Sequence, residues 1–186
     1  MVAIDLSGEH LASLDGMVRE HGLSKLVALG VSGPGYVKAG LVGLEHVELF
    51  NDLFQPMPGG VAAYIAPVLD RGELVDLVTW PLDRPVRWAL RLGVAFALGA
   101  DAIAEARLFP RSAGPLPLFR TPLSWLLAGC EGACILRPED AWRELADIAE
   151  VVAQDIGHGR AIEKMLSPPR RPRPKVLVKQ AEGIAA

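Results

Sequence analysis

Apolar positions recur every three or four residues near the start of the chain, where Leu11, Leu14, Met17 and Val18 form one stripe. Ser7 precedes this stripe and Gly22 follows it, and these residue types are preferred at the start and the end of a helix. The pattern therefore predicts an N-terminal helix whose stripe faces the core.

A longer helical pattern follows Pro138. Glu139 and Asp140 open its first turn, where acidic side chains favour the helix dipole. We expect Gly157-His158-Gly159 to break this helix. Shorter helices are predicted from Asp101 to before Pro110 and from Thr121 to Gly129. The apolar stripe of the long helix consists of Trp142, Leu145, Ile148, Val152 and Ile156.

A further helix is predicted between Asp83 and Leu98, because Asp83 and Pro85 are typical of a first turn. On such a helix three arginines fall at i, i+3 and i+7 and form one cationic stripe beside Trp88. Guanidinium groups grip phosphate with two hydrogen bonds, so the stripe predicts an anion-binding site. The alternative is an ordinary solvated face whose arginines pair with acids. The three residues are Arg84, Arg87 and Arg91.

Runs of apolar and β-branched residues predict strands elsewhere. Val61 to Val68 and Leu74 to Trp80 are joined by Asp70-Arg71-Gly72, which indicates a hairpin. Pro67 places the first of these strands at a sheet edge or makes it short. Ser32-Gly33-Pro34-Gly35 predicts a turn. Weaker strand patterns cover residues 25–31, 36–44, 46–50, 116–120 and 133–136.

These elements mix hairpins with helices and do not alternate regularly. The pattern favours the α+β class, with a largely antiparallel or mixed sheet and helices packed on one face. Residues 116–152 could still form a local βαβ unit. We expect residues 1–166 to form a single globular domain, because 51% of the chain is hydrophobic and 22% is charged.

The charge of the chain is divided unevenly. The net charge is −3, yet residues 167–186 hold five basic residues and one acid, a net of +4. Residues 1–166 therefore hold 14 basic and 21 acidic residues, a net of −7. The Pro/Arg-rich composition of residues 167–186 predicts a disordered, flexible tail. Its basic residues are Arg170, Arg171, Arg173, Lys175 and Lys179.

A basic tail on an acidic body is typical of a binding arm. We expect it to engage an anionic partner, either nucleic acid or an acidic protein surface. No aromatic residue lies among the basic ones, so stacking on single-stranded bases is not expected there. Two alternatives remain, a tail that only aids solubility and a short β-prone segment (Lys175 to Lys179) that adds to a partner's sheet.

His158 is the best single candidate for a general acid or base, because glycines on both sides let the backbone approach a ligand. A small enzyme with its site near His158 is therefore an alternative, although the sequence ties no nucleophile to it. On balance we expect a binding protein rather than an enzyme. A third alternative is a structural or assembly subunit of phage or mobile-element origin, with Trp80, Trp88 and Trp125 as interface anchors.

The remaining motifs predict neither a metal nor a cofactor. His46-x-Glu48 with two later cysteines has the residue types of a zinc deaminase site. The match fails, because Cys130 and Cys134 are separated by three residues rather than two and no proline precedes them. The two cysteines therefore predict free thiols, with Cys134 in the core. No P-loop or dinucleotide-binding glycine motif is present.

Cysteine usage and the N-terminal residues predict the compartment. Two cysteines and the absence of a basic region before an apolar one indicate a cytoplasmic protein without a signal peptide. The longest uncharged run, between Asp52 and Asp70, contains prolines and a Gly-Gly pair, so we expect no membrane span. The sequence leaves the oligomeric state open.

Overall fold

The computed structural model describes residues 4–109 and 114–167, which contain nine strands and seven α-helices. The strands are β1 Gly43–Phe50, β2 Leu53–Pro56, β3 Val61–Asp70, β4 Glu73–Pro81, β5 Ala89–Leu90, β6 Ala97–Leu98, β7 Leu116–Phe119, β8 Ala133–Ile135 and β9 Val151–Val152. The helices are α1 Leu6–Arg19, α2 Gly22–Ala28, α3 Gly33–Lys38, α4 Ala100–Leu108, α5 Pro122–Leu127, α6 Ala141–Glu144 and α7 Ile156–Leu166, with a 3₁₀ turn at Pro138–Asp140.

Five strands close into a small barrel in the order β1-β2-β5-β4-β3, with β3 pairing back to β1. Four of the five pairings are antiparallel, and β2 pairs with β5 in parallel at Leu53 and Leu90. The β3–β4 pair is the predicted hairpin. Pro67 lies on β3 beyond Ile65, where the pairing with β1 ends. β3 is neither short nor an edge strand, because it spans ten residues and pairs with both β1 and β4. The expectation drawn from Pro67 is therefore wrong for the strand as a whole, and the proline is tolerated where β3 pairs with β4 alone.

The other four strands form a second sheet in the order β6-β8-β7-β9. β7 and β8 are parallel and are connected by α5, so the predicted local βαβ unit is present. Thr121 caps α5 through a reciprocal pair of hydrogen bonds with Ser124, which explains why this helix is short but well defined. Mixed pairing in both sheets confirms the α+β class with mixed sheets.

Both faces of β3 and β4 are buried. Ala63, Ile65 and Leu77 belong to one cluster, whereas their neighbours Tyr64 and Val78 belong to another. Burial on both faces explains why these strands read as nearly continuous apolar runs rather than as an alternating pattern. The second of these clusters also includes Leu98, Cys134 and Leu136, so it extends from the barrel to the second sheet.

Two strands predicted in the N-terminal part are helices instead. Residues 25–31 overlap α2, and residues 36–44 overlap α3 before β1 begins. The Ser32-Gly33-Pro34-Gly35 turn is the start of α3, where the Ser32 side chain accepts a hydrogen bond from the Gly35 N–H at 3.1 Å. A capping serine and a proline in the first turn are helix signals, and in α3 they outweigh the strand pattern of residues 36–44. α2 has no side-chain cap at its start.

The helix predicted between Asp83 and Leu98 is wrong. This segment holds a turn, β5, a loop and β6. The reason is Asp76, which is fully buried and accepts hydrogen bonds from the backbone N–H groups of Leu77, Arg91, Leu92, Val94 and Ala95 at 2.8–3.2 Å. A carboxylate fifteen or more residues earlier in the chain thus takes the donors that a helix would have used internally.

The long helix predicted after Pro138 is also wrong. Only α6 forms there, and Val151 and Val152 lie in β9, which pairs with β7 in parallel. The expected break at Gly157-His158-Gly159 lies within the first turn of α7. The pairing of β9 with β7 replaces the end of the predicted helix with a strand. The helix α7 begins at Ile156, next to the residues where we expected the predicted helix to end.

The predicted tail lies outside the described residues, apart from Ser167, which follows α7. Within the described part of the chain, no helix combines the length and apolar character that a membrane crossing requires.

Candidate functional site

The first turn of α7 positions His158. Asp155 caps this helix, and its carboxylate accepts a hydrogen bond from the His158 N–H at 2.8 Å. His158 lies in the first turn of α7, where its imidazole is buried and only 4% of the residue is exposed. His158 is therefore a buried histidine held by a capped helix start, not an exposed residue in a loop.

Arg120 fastens this helix start to the end of β7. One guanidinium nitrogen of Arg120 lies 2.9 and 3.0 Å from the two Asp155 carboxylate oxygens. The Arg120 backbone N–H donates to the Gln154 side-chain carbonyl at 2.8 Å. The His158 N–H and the Arg120 guanidinium both lower the pKa of Asp155 below its ordinary value. The site is thus built from two segments that lie more than thirty residues apart in sequence.

One backbone hydrogen bond sets the tautomer of His158. The Gln154 N–H donates to His158 Nδ1 at 3.2 Å. An amide N–H can only donate, so Nδ1 must be unprotonated and the neutral ring carries its proton on Nε2. Among residues 4–109 and 114–167, Trp80 Nε1 is the one side-chain nitrogen or oxygen that is fully buried and has no hydrogen-bond partner. His158 Nε2 also has no hydrogen-bond partner among these residues. Because it is not one of the fully buried atoms, it is accessible from the cleft that His158 lines.

The environment keeps His158 neutral. Burial lowers the pKa of His158, the nearby Arg120 charge lowers it further, and Asp155 opposes both effects. At neutral pH the side chain is therefore an uncharged hydrogen-bond donor.

His158 lines a cleft of about 400 Å³, which we call the His158 cleft. Trp88 forms part of its wall and is fixed by a hydrogen bond from its indole N–H to the Leu136 carbonyl at 3.3 Å. The wall is apolar apart from Arg120 and His158. Its other residues are Leu118, Phe119, Ile135, Pro138, Gly157, Ala161, Ile162 and Met165.

A second cleft of about 480 Å³, the Arg87 cleft, shares Trp88 and Pro138 with the first. Arg87 and Asp52 lie along it, and neither side chain has an ion-pair partner within the described ranges. The remaining charged pair in its wall, Arg137 and Glu139, is joined at 3.1 Å.

The three predicted anion-binding arginines do not share a helix face, because the helix is absent. Arg91 is committed to Glu9, with two contacts of 2.6 and 2.9 Å that hold α1 against the barrel. Arg84 is exposed and lies 3.6 Å from the Asp83 carboxylate. Arg87 lines the Arg87 cleft, whereas Arg84 and Arg91 line neither of these two clefts.

The predicted tail residues Arg170, Arg171, Arg173 and Lys175 lie outside the described ranges. Their role stays a prediction.

A third cavity, of about 580 Å³, lies beside α4 and has mixed chemistry. Lys38 faces it together with Asp101, Glu105 and Glu131. The Cys130 thiol also lines it, but this thiol already donates to the Gly35 carbonyl. Opposite charges without a convergent donor set do not indicate a particular ligand.

The remaining candidate residues are structural. Burial raises the pKa of the Cys130 thiol to about 11, against the effect of Lys38, and also raises the pKa of Cys134. Both are free thiols, and Cys134 is in the core as expected. His46 faces Glu20 at 3.5 Å rather than either cysteine. No group of three metal-ligating side chains occurs in the described part of the chain.

Sequence reasoning singled out His158 but missed what surrounds it. No local sequence signal marks Arg120, which follows β7. The predicted long helix includes Asp155 in its interior, whereas in the structure Asp155 is the cap of α7. Trp80 and Trp125 are buried, so of the three proposed interface anchors only Trp88 is partly accessible. The signal that could have been used is Asp155 three residues before His158, a cap spacing.

No family model, curated protein or solved structure matches this chain. Its function must therefore be inferred from the geometry of the site.

Proposed function

We propose that this protein is a binding module whose His158 cleft receives an apolar group that carries a hydrogen-bond acceptor. The observation behind the proposal is the neutral His158 side chain, which presents an Nε2–H donor in an otherwise apolar cleft. Ligand sites usually combine an apolar wall with a few convergent polar groups. A carbonyl acceptor bonded to Nε2 would be favoured, because a ligand that filled the cleft without one would leave this donor unpaired.

The same hydrogen bond argues against catalysis by His158. A general base needs a free lone pair, and on this ring the free lone pair is the one that accepts from Gln154. The described residues that line the cleft include no carboxylate, hydroxyl or thiol that could act as a nucleophile or a second acid–base group. Recognition of a ligand asks for no such group, so the geometry favours binding over a reaction.

The basic tail completes the proposal. We infer that residues 167–186 contact an anionic partner, since they carry +4 while residues 1–166 carry −7. Met165 lines the His158 cleft, and α7 ends one residue later at Leu166. The tail therefore starts beside the cleft. A single partner could contact both, with its apolar group in the cleft and its charge against the tail.

The cleft is tested with a small probe by NMR. N-acetylphenylalaninamide carries an aromatic ring and two carbonyl acceptors, and N-acetylalaninamide lacks only the ring. We expect the first probe to shift the indole N–H signal of Trp88 and to leave those of the buried Trp80 and Trp125 unchanged. Trp88→Phe assigns the signal.

The matched variants for this test fill or spare the cleft. Ala161→Leu adds bulk from an exposed position in its wall, whereas Ala12→Leu makes the same change on an exposed position of α1. Binding should be lost in the first and kept in the second. Equal shifts with both probes, or binding that survives Ala161→Leu, would show that the cleft is not the site.

The tail is tested by anisotropy of labelled single- and double-stranded DNA and of a labelled poly-glutamate peptide, at two salt concentrations. Full-length protein is compared with a chain that ends at Leu166. Binding should weaken with salt, with a slope of about −0.9 per phosphate contact on duplex DNA. It should also disappear on truncation. Unchanged binding after truncation, or no binding to any anionic probe at low salt, contradicts this part of the proposal.

A further inference from the structure

The His158 cleft and the Arg87 cleft adjoin each other, and together we call them the groove. Trp88 and Pro138 line both, so the two spaces meet at these side chains. The groove passes from β7 and α7 of the second-sheet region to Leu53 and Leu90, where β2 and β5 of the barrel pair. A ligand that spans it must therefore be longer than the group that fills the His158 cleft alone.

The groove offers both hydrogen-bond donors and hydrogen-bond acceptors. His158 Nε2–H and the Arg87 guanidinium donate, and the Asp52 carboxylate accepts. Arg87 and Asp52 have no ion-pair partner among residues 4–109 and 114–167, so both can bond to a ligand. A ligand that offers only acceptors would pair with Arg87. It would leave the Asp52 carboxylate either next to another negative charge or without a hydrogen-bond donor.

We propose that the groove binds an extended polypeptide segment of a partner protein. One large apolar side chain of the segment fills the His158 cleft, with a backbone carbonyl accepting from His158 Nε2. The backbone then continues past Trp88, where its carbonyl and N–H groups pair with Arg87 and Asp52. This proposal rests on the proposed function of the His158 cleft and names the class of its ligand.

Charge complementarity favours a polypeptide over nucleic acid in the groove. The groove carries both signs of charge, from three arginines (Arg87, Arg120 and Arg137) and from the carboxylates of Asp52 and Glu139. A nucleic acid carries one negative charge per nucleotide, so part of its backbone would face the two carboxylates. A peptide backbone is neutral and presents a donor and an acceptor at each residue, which matches a wall that offers both.

The test compares four neutral or anionic probes by NMR. The first is a capped heptapeptide of glycine and serine with one central phenylalanine, and the second has alanine at that position. The third is N-acetylphenylalaninamide, and the fourth is heptathymidylate. The readouts are the Trp88 indole signal for the His158 cleft and the Gly93 backbone amide for the Arg87 cleft.

We expect the phenylalanine heptapeptide to move both signals and to bind at least about tenfold more tightly than N-acetylphenylalaninamide, since two further hydrogen bonds form. Arg87→Ala and Asp52→Asn should each remove most of that gain without changing the affinity for the small amide. Arg84→Ala is the matched control, because Arg84 is exposed, neighbours Arg87 and lies outside both clefts.

The outcomes separate this inference from the proposed function. If the amide binds but the heptapeptide binds no more tightly, or if Arg87→Ala has no effect, the peptide groove is wrong and the cleft proposal survives. If neither probe binds, the cleft proposal fails first. If heptathymidylate moves both signals more strongly than the heptapeptide does, the groove is a nucleic-acid site instead.

Discussion

At His158 a single backbone hydrogen bond links the site to the stability of the fold. The Gln154 N–H donates to Nδ1, and a protonated imidazole cannot accept it. The pKa of His158 is lower in the fold than its ordinary value of about 6.5, so the unfolded chain binds this proton more readily. The free energy of unfolding is therefore at its full value above about pH 6.5 and falls as the pH drops towards the lowered pKa of the folded state.

The prediction is checked with His158→Gln, whose side-chain carbonyl can still accept from Gln154 but does not titrate. Urea unfolding between pH 5 and 7.5 should show a smaller loss of stability on acidification in the variant than in the wild type. Asp155 contributes in a separate window, below about pH 4, where its carboxylate protonates. Parallel pH profiles would mean that His158 is not held neutral.

Two buried tryptophans differ in one hydrogen bond and provide a second prediction at this scale. Trp125 Nε1–H donates to the Gly132 carbonyl at 3.0 Å, whereas Trp80 Nε1–H is buried without a partner in the described part of the chain. Replacing each with phenylalanine removes a similar ring volume. The change at residue 80 also removes an unpaired donor, and the change at residue 125 leaves a carbonyl unpaired.

We expect Trp125→Phe to lower the free energy of unfolding by about 1–3 kcal/mol more than Trp80→Phe does. Denaturant titrations followed by far-UV circular dichroism measure both values without relying on tryptophan fluorescence. Equal losses would indicate that the Trp80 indole has a partner, such as a buried water molecule.

At the scale of elements, the hairpin and the β7–α5–β8 unit could be predicted because their signals are local. Asp70-Arg71-Gly72 joins two adjacent runs, and Thr121 with Ser124 fixes a helix start within four residues. The segment between Asp83 and Leu98 could not, because its conformation depends on the Asp76 carboxylate. Local propensity does not reveal a distant side chain that captures backbone donors.

The helix α1 shows a second reason why sequence patterns fail. Its predicted apolar stripe is divided, since Leu11 is 64% and Val18 is 79% exposed whereas Met17 is buried. The buried positions also include Ser13 and Gly16, and a Cβ at Gly16 would collide with the Leu44 carbonyl oxygen. Small residues let α1 approach the β1 backbone closely. A rule that places the large apolar residues inside therefore misses part of the buried face.

The β3–β4 turn provides a prediction at the element scale. Arg71 and Gly72 have φ of 52° and 80°, and Asp70 pairs with Glu73, so both loop residues are left-handed as in a type I′ turn. Asparagine tolerates this conformation better than arginine does. Arg71→Asn should therefore raise the free energy of unfolding by roughly 0.5–1 kcal/mol.

Gly72→Ala is the opposite change in the same loop. No atom lies near enough to clash with the added Cβ, so its cost of about 1–2 kcal/mol would come from the backbone alone. Thermal unfolding of the two variants should shift the midpoint in opposite directions. A loss of stability with Arg71→Asn would mean that the Arg71 side chain makes contacts that outweigh its backbone strain.

At the scale of the whole molecule, the site and the barrel share one core. The cluster that contains Leu44 and Trp80 of the barrel also contains Leu98, Cys134 and Leu136 around the second sheet. Trp88, which lines the His158 cleft, packs against this cluster, whereas Ile135 in the same wall belongs to a separate cluster in the second-sheet region. The shape of the cleft therefore depends on packing between the two sheets as well as on residues that touch a ligand.

This shared core predicts that residues 4–167 unfold in one cooperative step. A boundary between independent domains is expected where few contacts cross, but here buried side chains of both sheets interlock. Calorimetry should give equal calorimetric and van't Hoff enthalpies.

Asp76→Asn replaces one carboxylate oxygen with an N–H donor, which would face backbone N–H groups in the loop between β5 and β6. We expect it to cost about 3 kcal/mol. For a domain of this size the midpoint would fall by roughly 6–12 °C. If the sheets are one unit, the His158 region should melt at the same lowered midpoint, as followed by the Trp88 indole signal on heating. A Trp88 transition that keeps the wild-type midpoint would show instead that the second sheet and its cleft fold independently of the barrel.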